Sequence, residues 1–134
     1  MRAFARETYG IPSEQVIGTR LEIEYAQRGG RGVLMRKPKL EFVNDKQGKP
    51  AGIAVQIGKR PVLAFGNSDG DFEMLEYSSP GLGLIVHHDD AEREYAYDRK
   101  SSVGRLDRAL DEAKGRGWVL VSVKRDWKLV FAER

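Results

Sequence analysis

The sequence contains no cysteine, and this absence excludes two kinds of chemistry. Without thiols the chain forms neither a disulfide framework nor a thiolate metal site, so the reducing cytosol is the default compartment. Long apolar runs are also missing, because the longest, at 82–86, is far shorter than the ~20 residues of a membrane span. No apolar stretch of signal-peptide length follows Met1. We therefore expect a cytoplasmic protein with no membrane partner.

Charge is balanced along the chain. The sequence has 23 Lys and Arg residues and 20 Asp and Glu residues, which gives a net charge of +3. The basic clusters, at 28–31, 36–39 and 124–125, are short. Nucleic-acid surfaces usually need a longer basic stripe, often with interleaved aromatic residues. A nucleic-acid partner is therefore not expected.

The order of the predicted elements indicates the fold class. A chain of 134 residues is long enough for one domain with its own core, so we predict a single domain over 1–134. After residue 44, apolar strands alternate with helices, which predicts an α/β fold with a parallel sheet. The strands are predicted at 61–65, 82–87 and 118–124, and the helices at 51–57, 72–77, 89–97 and 105–114. Residues 21–43 form a β-hairpin insertion.

The most informative segment is the polar loop that follows the strand at 61–65. It contains Gly66, Asn67, Asp69, Gly70 and Asp71, and it leads into the helix at 72–77. One interpretation is a polar turn with Gly66 and Gly70 at positive φ. The other is a hard-cation site in which Asn67 and Asp71 provide oxygen ligands, since open α/β sheets bind ligands at the carboxyl ends of their strands. The residues alone leave both interpretations open.

Lys49 is the second candidate. It lies between Gly48 and Pro50, where a loop enters a helix, and a lysine there either binds a phosphate as a point charge or is an ordinary surface residue. It is not a Walker lysine, because Val43 and Pro50 replace the required Gly and Ser or Thr.

Residues 87–90, with the sequence His-His-Asp-Asp, look like a metal cluster. Neighbouring residues on a strand point to opposite faces, so they do not easily share one ion. The pattern therefore favours a strand end followed by an aspartate that caps the next helix.

Lys49 between its glycine and proline, then one helix, one strand and the loop at 66–74, together resemble the haloacid dehalogenase superfamily. The resemblance extends over most of the chain and is closest to the phosphoserine-phosphatase-like branch. It implies a magnesium-dependent phosphohydrolase with a Rossmannoid three-layer α/β sandwich. Lys49 matches the family's lysine, which holds the nucleophile and the phosphate. Asp71 matches the second acid of the G-D-x-x-x-D metal loop, and Asn67 replaces the first, which removes one negative charge.

The family's D-x-D-x-(T/V) motif is not found in the sequence. Its first aspartate is the nucleophile and its second is the general acid/base. The resemblance therefore covers only the carboxyl-terminal half of such an enzyme, without its first core strands. It implies a chain that is inactive alone, binds Mg²⁺ weakly or not at all, and acts on a small phosphorylated substrate only when completed.

The missing strands also have a consequence for partners. In the family's sheet the first strand lies beside the fourth, so the strand at 61–65 would have an open edge. We expect this edge to be covered in a homodimer or by a separate amino-terminal half. Two other functions remain open: a non-catalytic interaction or regulatory module, and one half of a split phosphohydrolase.

Overall fold

The computed structural model describes residues 1–131 and has mixed helices and strands, which confirms the general α/β class. Contacts group the chain into two compact units, Met1–Ile57 and Gly58–Arg134. Among residues 1–131, none of the helices is long and apolar enough to span a bilayer. The haloacid-dehalogenase-like form and the single domain over 1–134 stay predictions.

The first unit contains the predicted hairpin. Strands β1 (Arg20–Arg28) and β2 (Arg31–Phe42) pair in antiparallel fashion. Gly29 and Gly30 join them with φ values of 55° and 74°, a backbone shape that favours glycine and suits tight hairpin turns. Helix α1 (Ala5–Tyr9) precedes the hairpin and helix α2 (Gly48–Ile57) follows it.

Helix α2 begins three residues before its predicted start at Ala51. Pro50 therefore lies in the first turn, where the amide hydrogen that it lacks would have no partner within the helix. Gly48 is required for a different reason. A Cβ atom there would lie 2.0 Å from the carbonyl oxygen of Val43, so only glycine fits this close turn of the backbone.

The second unit contains a parallel sheet and its helices. The strands are β3 (Leu63–Gly66), β4 (Leu82–His87) and β5 (Val119–Ser122), in the order β3-β4-β5. The helices are α3 (Phe72–Tyr77), α4 (Arg108–Glu112) and α5 (Val123–Asp126). Leu63 pairs with Leu82, and Leu84 with Val119. Within the described residues, β3 is therefore an edge strand.

Helices α3 and α4 cover one face of this sheet. The core there combines side chains from the strands, from both helices and from the segment before α4: Ala64, Phe72, Leu75, Ile85, Leu106, Ala109 and Ala113. The opposite face is open, and Leu63, Phe65, Leu82 and Val119 on it are 44–54% exposed. Parallel sheets are normally covered on both faces. An apolar surface of the second unit thus lacks a cover among the described residues of that unit, 58–131.

Element predictions are wrong at two places in the second half of the chain, and the helix predicted at 105–114 is shorter there, Arg108–Glu112. Residues 91–93 form a turn and the rest of 89–97 is irregular, so the predicted helix is not formed. Asp90 caps a single turn, in which the N–H of Glu94 donates to its carbonyl oxygen at 3.0 Å. The predicted strand at 118–124 ends at Ser122, whose side chain caps α5 by accepting from the N–H of Arg125. In both places a polar side chain that bonds to nearby N–H groups changes the backbone path.

Replacing Leu106 by alanine is expected to destabilise the second unit. Leu106 is 1% exposed and belongs to the core beneath the sheet. Truncation leaves a cavity there and lowers the free energy of unfolding by about 2 to 5 kcal/mol. Urea unfolding measures this loss, with Leu129→Ala as the control because Leu129 is 59% exposed. Equal losses in the two variants would contradict the assignment of the core.

Candidate functional site

The loop after β3 folds around the carboxylate of Asp71. This side chain is 5% exposed, and its Oδ2 atom accepts from the N–H of Asn67 at 3.0 Å and from the N–H and hydroxyl of Ser68 at 3.3 Å. A Cβ atom on Gly66 would lie 2.5 Å from the Cβ atom of Asp71. Gly66 is therefore needed for close approach, and the positive φ predicted for Gly66 and Gly70 is wrong at both residues. The loop does bring Asn67 and Asp71 together.

Asp69 lies in the same loop but has a different partner. Its Oδ1 atom accepts from the N–H groups of Asp107 and Ala109 at 3.1 and 3.0 Å, and its Oδ2 atom accepts from that of Arg108 at 3.2 Å. These N–H groups belong to the start of α4, where a helix leaves its first donors without partners. Asp69 therefore caps a helix that begins far along the sequence.

The loop does not provide a complete magnesium site by itself. Both oxygens of Asp69 bind α4, and Oδ2 of Asp71 binds the backbone of its own loop. In the part of the chain that the structure describes, no three His, Asp or Glu side chains are arranged to hold a metal ion. Mg²⁺ is usually held by one or two carboxylates together with waters and phosphate oxygens, so this loop would need further oxygens from outside it to hold the ion. Magnesium binding therefore stays a prediction.

Lys49, the other predicted site residue, lies in the first turn of α2 in the first unit. Its side chain is half-buried, and its N–H donates to the carbonyl oxygen of Lys46 at 3.0 Å. Its role in phosphate binding stays a prediction.

The residues that follow β4 form a second group at the carboxyl edge of the sheet. The imidazole of His88 stacks on the ring of Tyr97, with 4.9 Å between centroids. Its Nδ1 atom lies 2.7 Å from Oε2 of Glu94. The N–H of Tyr97 donates to the carbonyl oxygen of His88 at 2.9 Å, which folds the segment back on the strand end. The hydroxyl of Tyr97 in turn accepts from the side-chain amide of Asn67.

Asp89 anchors the same edge to β5. Its Oδ2 atom accepts from the hydroxyl of Ser122 at 2.6 Å, and its Oδ1 atom accepts from the N–H of Lys124 at 3.0 Å. Burial of the carboxylate opposes ionisation, but these hydrogen bonds, together with the carboxylate's own backbone N–H and His87 at 3.9 Å, outweigh it and lower the pKa of Asp89. Asp89 is therefore an ionised, fixed side chain, and Asp90 caps a turn, so the strand-end interpretation describes this segment better than a metal cluster does.

A cleft of about 260 Å³ lies between the end of β4 and the returning segment. It is lined by His87, His88, Asp89, Ala96, Tyr97 and Asp98. Ligands of open α/β sheets bind outside the carboxyl ends of the strands, which is where this cleft lies. Through the Tyr97–Asn67 bond it adjoins the loop after β3.

The chain matches no model of a known protein family, and a search of curated proteins also finds no match.

Sequence reasoning missed Glu94, Tyr97 and Ser122. The helix predicted at 89–97 would have placed Glu94 and Tyr97 on the surface of a regular helix. The return of the chain to His88 depends instead on contacts that the local sequence pattern does not encode. Ser122 fell inside a predicted strand. One signal was available: two consecutive aspartates after a strand offer two competing caps, and this pattern is typical of turns as well as helix starts.

Replacing Asp69 by alanine is expected to lower the free energy of unfolding by about 1 to 2 kcal/mol, because three backbone donors at the start of α4 lose their acceptor. Thermal or urea unfolding measures the change. Glu92→Ala is the matched control, since Glu92 is an exposed acid in the second unit. A variant as stable as the control would show that solvent caps the helix equally well.

Proposed function

We propose that this chain is the carboxyl-terminal half of a haloacid-dehalogenase-like phosphohydrolase, and that it is inactive until another polypeptide segment completes it. The resemblance at Lys49 and at the loop 66–71 suggests the chemistry. The position of β3 carries the proposal. This strand ends in the loop with Asn67 and Asp71, and it stands at the edge of its sheet within the described residues. In the family's sheet, the strand that holds the nucleophile lies at that edge.

The hydrogen bonding of β3 indicates that this edge could pair with another strand. The carbonyl oxygen of Val62 accepts from the N–H of Leu82 at 2.9 Å, so Val62 faces β4. Successive residues of a strand direct their N–H and C=O groups to opposite sides, and those of Leu63 are therefore directed toward the open edge. The strand has no charged side chain that would repel a partner strand.

The chain's own residues have limited roles in this proposal. Lys49 would attract a phosphate as a point charge, and Asn67 would offer an amide oxygen as a ligand. Asp71 would keep the loop in shape through its bonds to Asn67 and Ser68. None of these groups replaces the missing nucleophile, so no covalent step is assigned to the chain.

A second candidate function is a non-catalytic interaction module, and the burial pattern favours it. In the first unit only Ala5 and Gly52 are buried, whereas Ile23, Tyr25 and Leu34 on the hairpin are 61–68% exposed. A two-stranded hairpin is marginally stable without cover on its apolar face. Together with the open face of the parallel sheet, this exposure is typical of a protein that binds another chain.

The isolated chain is expected to show no turnover of p-nitrophenyl phosphate with Mg²⁺, because loss of a nucleophile removes many orders of magnitude in rate. A colorimetric assay on purified protein tests this. Titration of the same protein with MgCl₂, followed by NMR, should give only weak shifts at residues 66–71. The phosphohydrolase proposal then requires that a segment with D-x-D-x-T restores turnover when it is co-expressed with the chain, and that Lys49→Met abolishes it again.

Two results would contradict these expectations. Turnover by the pure chain would show that the nucleophile lies elsewhere in it. A folded complex with the D-x-D-x-T segment that stays inactive would leave the interaction module as the better proposal.

The expected homodimer is tested by Leu63→Pro. Proline removes the N–H that Leu63 directs to the open edge, yet it leaves the bond between Val62 and Leu82 in place. If two copies pair through β3, the variant should be a folded monomer by light scattering and circular dichroism. Ala64→Pro is the matched control, because Ala64 faces β4 and its replacement should unfold the sheet. A monomeric parent protein at high concentration would overturn pairing of two copies at this edge.

A further inference from the structure

The hairpin of the first unit has an apolar face that is exposed. Residues opposite each other across an antiparallel pair share a face, and so do alternate residues along one strand. By this rule the register places five apolar residues on the same face: Leu21, Ile23, Tyr25, Leu34 and Leu40. These residues are 41–68% exposed. A contiguous apolar patch of this kind is typical of a surface that binds another molecule.

The acidic residues of the hairpin are all paired within it. Residues 20–42 contain three glutamates and six basic residues, which gives a net charge of +3. The ion pairs are Lys37–Glu24, Lys39–Glu22 and Arg20–Glu41. Glu22 and Glu24 alternate with the apolar residues of β1, so their ion pairs lie on the face opposite the apolar one.

Three arginines of the hairpin form no ion pair in the described part of the chain. Arg36 is exposed, and it lies opposite Ile23, which places it on the apolar face. Arg28 and Arg31 lie opposite each other beside the turn, where two like charges repel. The hairpin therefore combines exposed apolar area with positive charge that no acid of the hairpin neutralises.

From these observations we infer that the apolar face of the hairpin binds an acidic amphipathic helix of another polypeptide. In folded domains an apolar sheet face is covered by a helix or by a second sheet. The distance from Leu21 to Tyr25 is about 13 Å along the strand, which about nine residues of helix would span. The apolar stripe of the helix covers the exposed face, and acidic residues beside the stripe pair with Arg36.

The charge of the hairpin argues against a second copy of this chain as the occupant. Face-to-face packing of two hairpins would bring together two surfaces that each have a net charge of +3, and like charges across an interface lower the affinity. Four of the five apolar residues are aliphatic, whereas single-stranded nucleic acids are bound by stacking on aromatic rings. An acidic polypeptide segment therefore fits this surface better than either.

This inference rests on the second candidate function, the interaction module, and names the chemistry of its partner. It involves neither Lys49 nor the loop 66–71, so it is independent of the phosphohydrolase proposal. The acidic partner and the interaction module also fail separately. A peptide that binds the hairpin without regard to charge would keep the module and exclude the acidic partner.

The test uses three alanine-based peptides of about 16 residues, with leucines along one helical face. Beside this stripe the first peptide has glutamate, the second glutamine and the third lysine. Each is titrated into the isotope-labelled full chain, and amide shifts are followed by NMR. The glutamate peptide should cause saturable shifts at residues 21–40. The glutamine peptide should bind roughly tenfold more weakly and the lysine peptide more weakly still, and these differences should shrink as the ionic strength rises.

Arg36→Glu should weaken binding of the glutamate peptide about tenfold, because it removes an attraction and adds a repulsion, and Arg36→Gln should weaken it about threefold. Neither variant should change the affinity for the glutamine peptide. Arg6→Glu is the matched control, since Arg6 is an exposed arginine of the first unit that lies on α1, outside the hairpin. Circular dichroism checks that all three variants are folded.

Equal affinities for the three peptides, absence of saturable shifts in the hairpin, or equal losses in Arg36→Glu and Arg6→Glu would each overturn the inference. Shifts confined to β3 and β4 would overturn it as well, because they would assign the helix to the open face of the parallel sheet. Tighter binding of phosphatidylserine vesicles or of oligothymidylate than of the glutamate peptide would replace the acidic helix by a lipid surface or a nucleic acid.

Discussion

The carboxylate of Asp69 is the interaction on which the second unit depends most. It joins the loop after β3 to the start of α4, about forty residues later in the chain, through bonds of 3.0 to 3.2 Å. Because α4 supplies Ala109 and Ala113 to the core, the same carboxylate fixes both the polar loop and the helix that covers the sheet. The segment between them, including Tyr97, closes over the end of β4 only when both ends are held. The shape of the cleft thus depends on the half-buried Asp69 cap.

The sequence predicted the second unit best where a local pattern and the tertiary structure agree. The bounds of α3 and β4 are as predicted, because α3 follows a polar loop that caps it and β4 is a short apolar run between polar residues. The prediction of the hairpin is also correct, since two glycines mark its turn. The helix predicted at 89–97 is wrong because Asp90 bonds to N–H groups that start only one turn, after which Tyr97 returns to His88.

The candidate site was predictable only in part. Asn67 and Asp71 lie close in sequence, so their proximity follows from a short loop. The bonds of Asp69 to α4 and of Asp89 to Ser122 connect residues more than thirty positions apart, and no periodic pattern encodes them. Aspartate is a common metal ligand, yet the oxygens of both residues accept hydrogen bonds from backbone N–H groups and a hydroxyl. In these two loops, the acidic side chains therefore indicate hydrogen bonds with donors elsewhere in the chain.

Arg93 has a mechanical consequence for the end of the described chain. One guanidinium bonds to Asp90 and to four carbonyl oxygens between Val123 and Lys128. The turn that shapes the cleft and the residues after β5 are thus fastened to the same planar group, which has a fixed fork of donors. A displacement of the final helix would pull on Asp90 and, through the next residues, on Glu94 and His88. Tension applied at the carboxyl end would therefore be transmitted to the cleft before it reached the sheet.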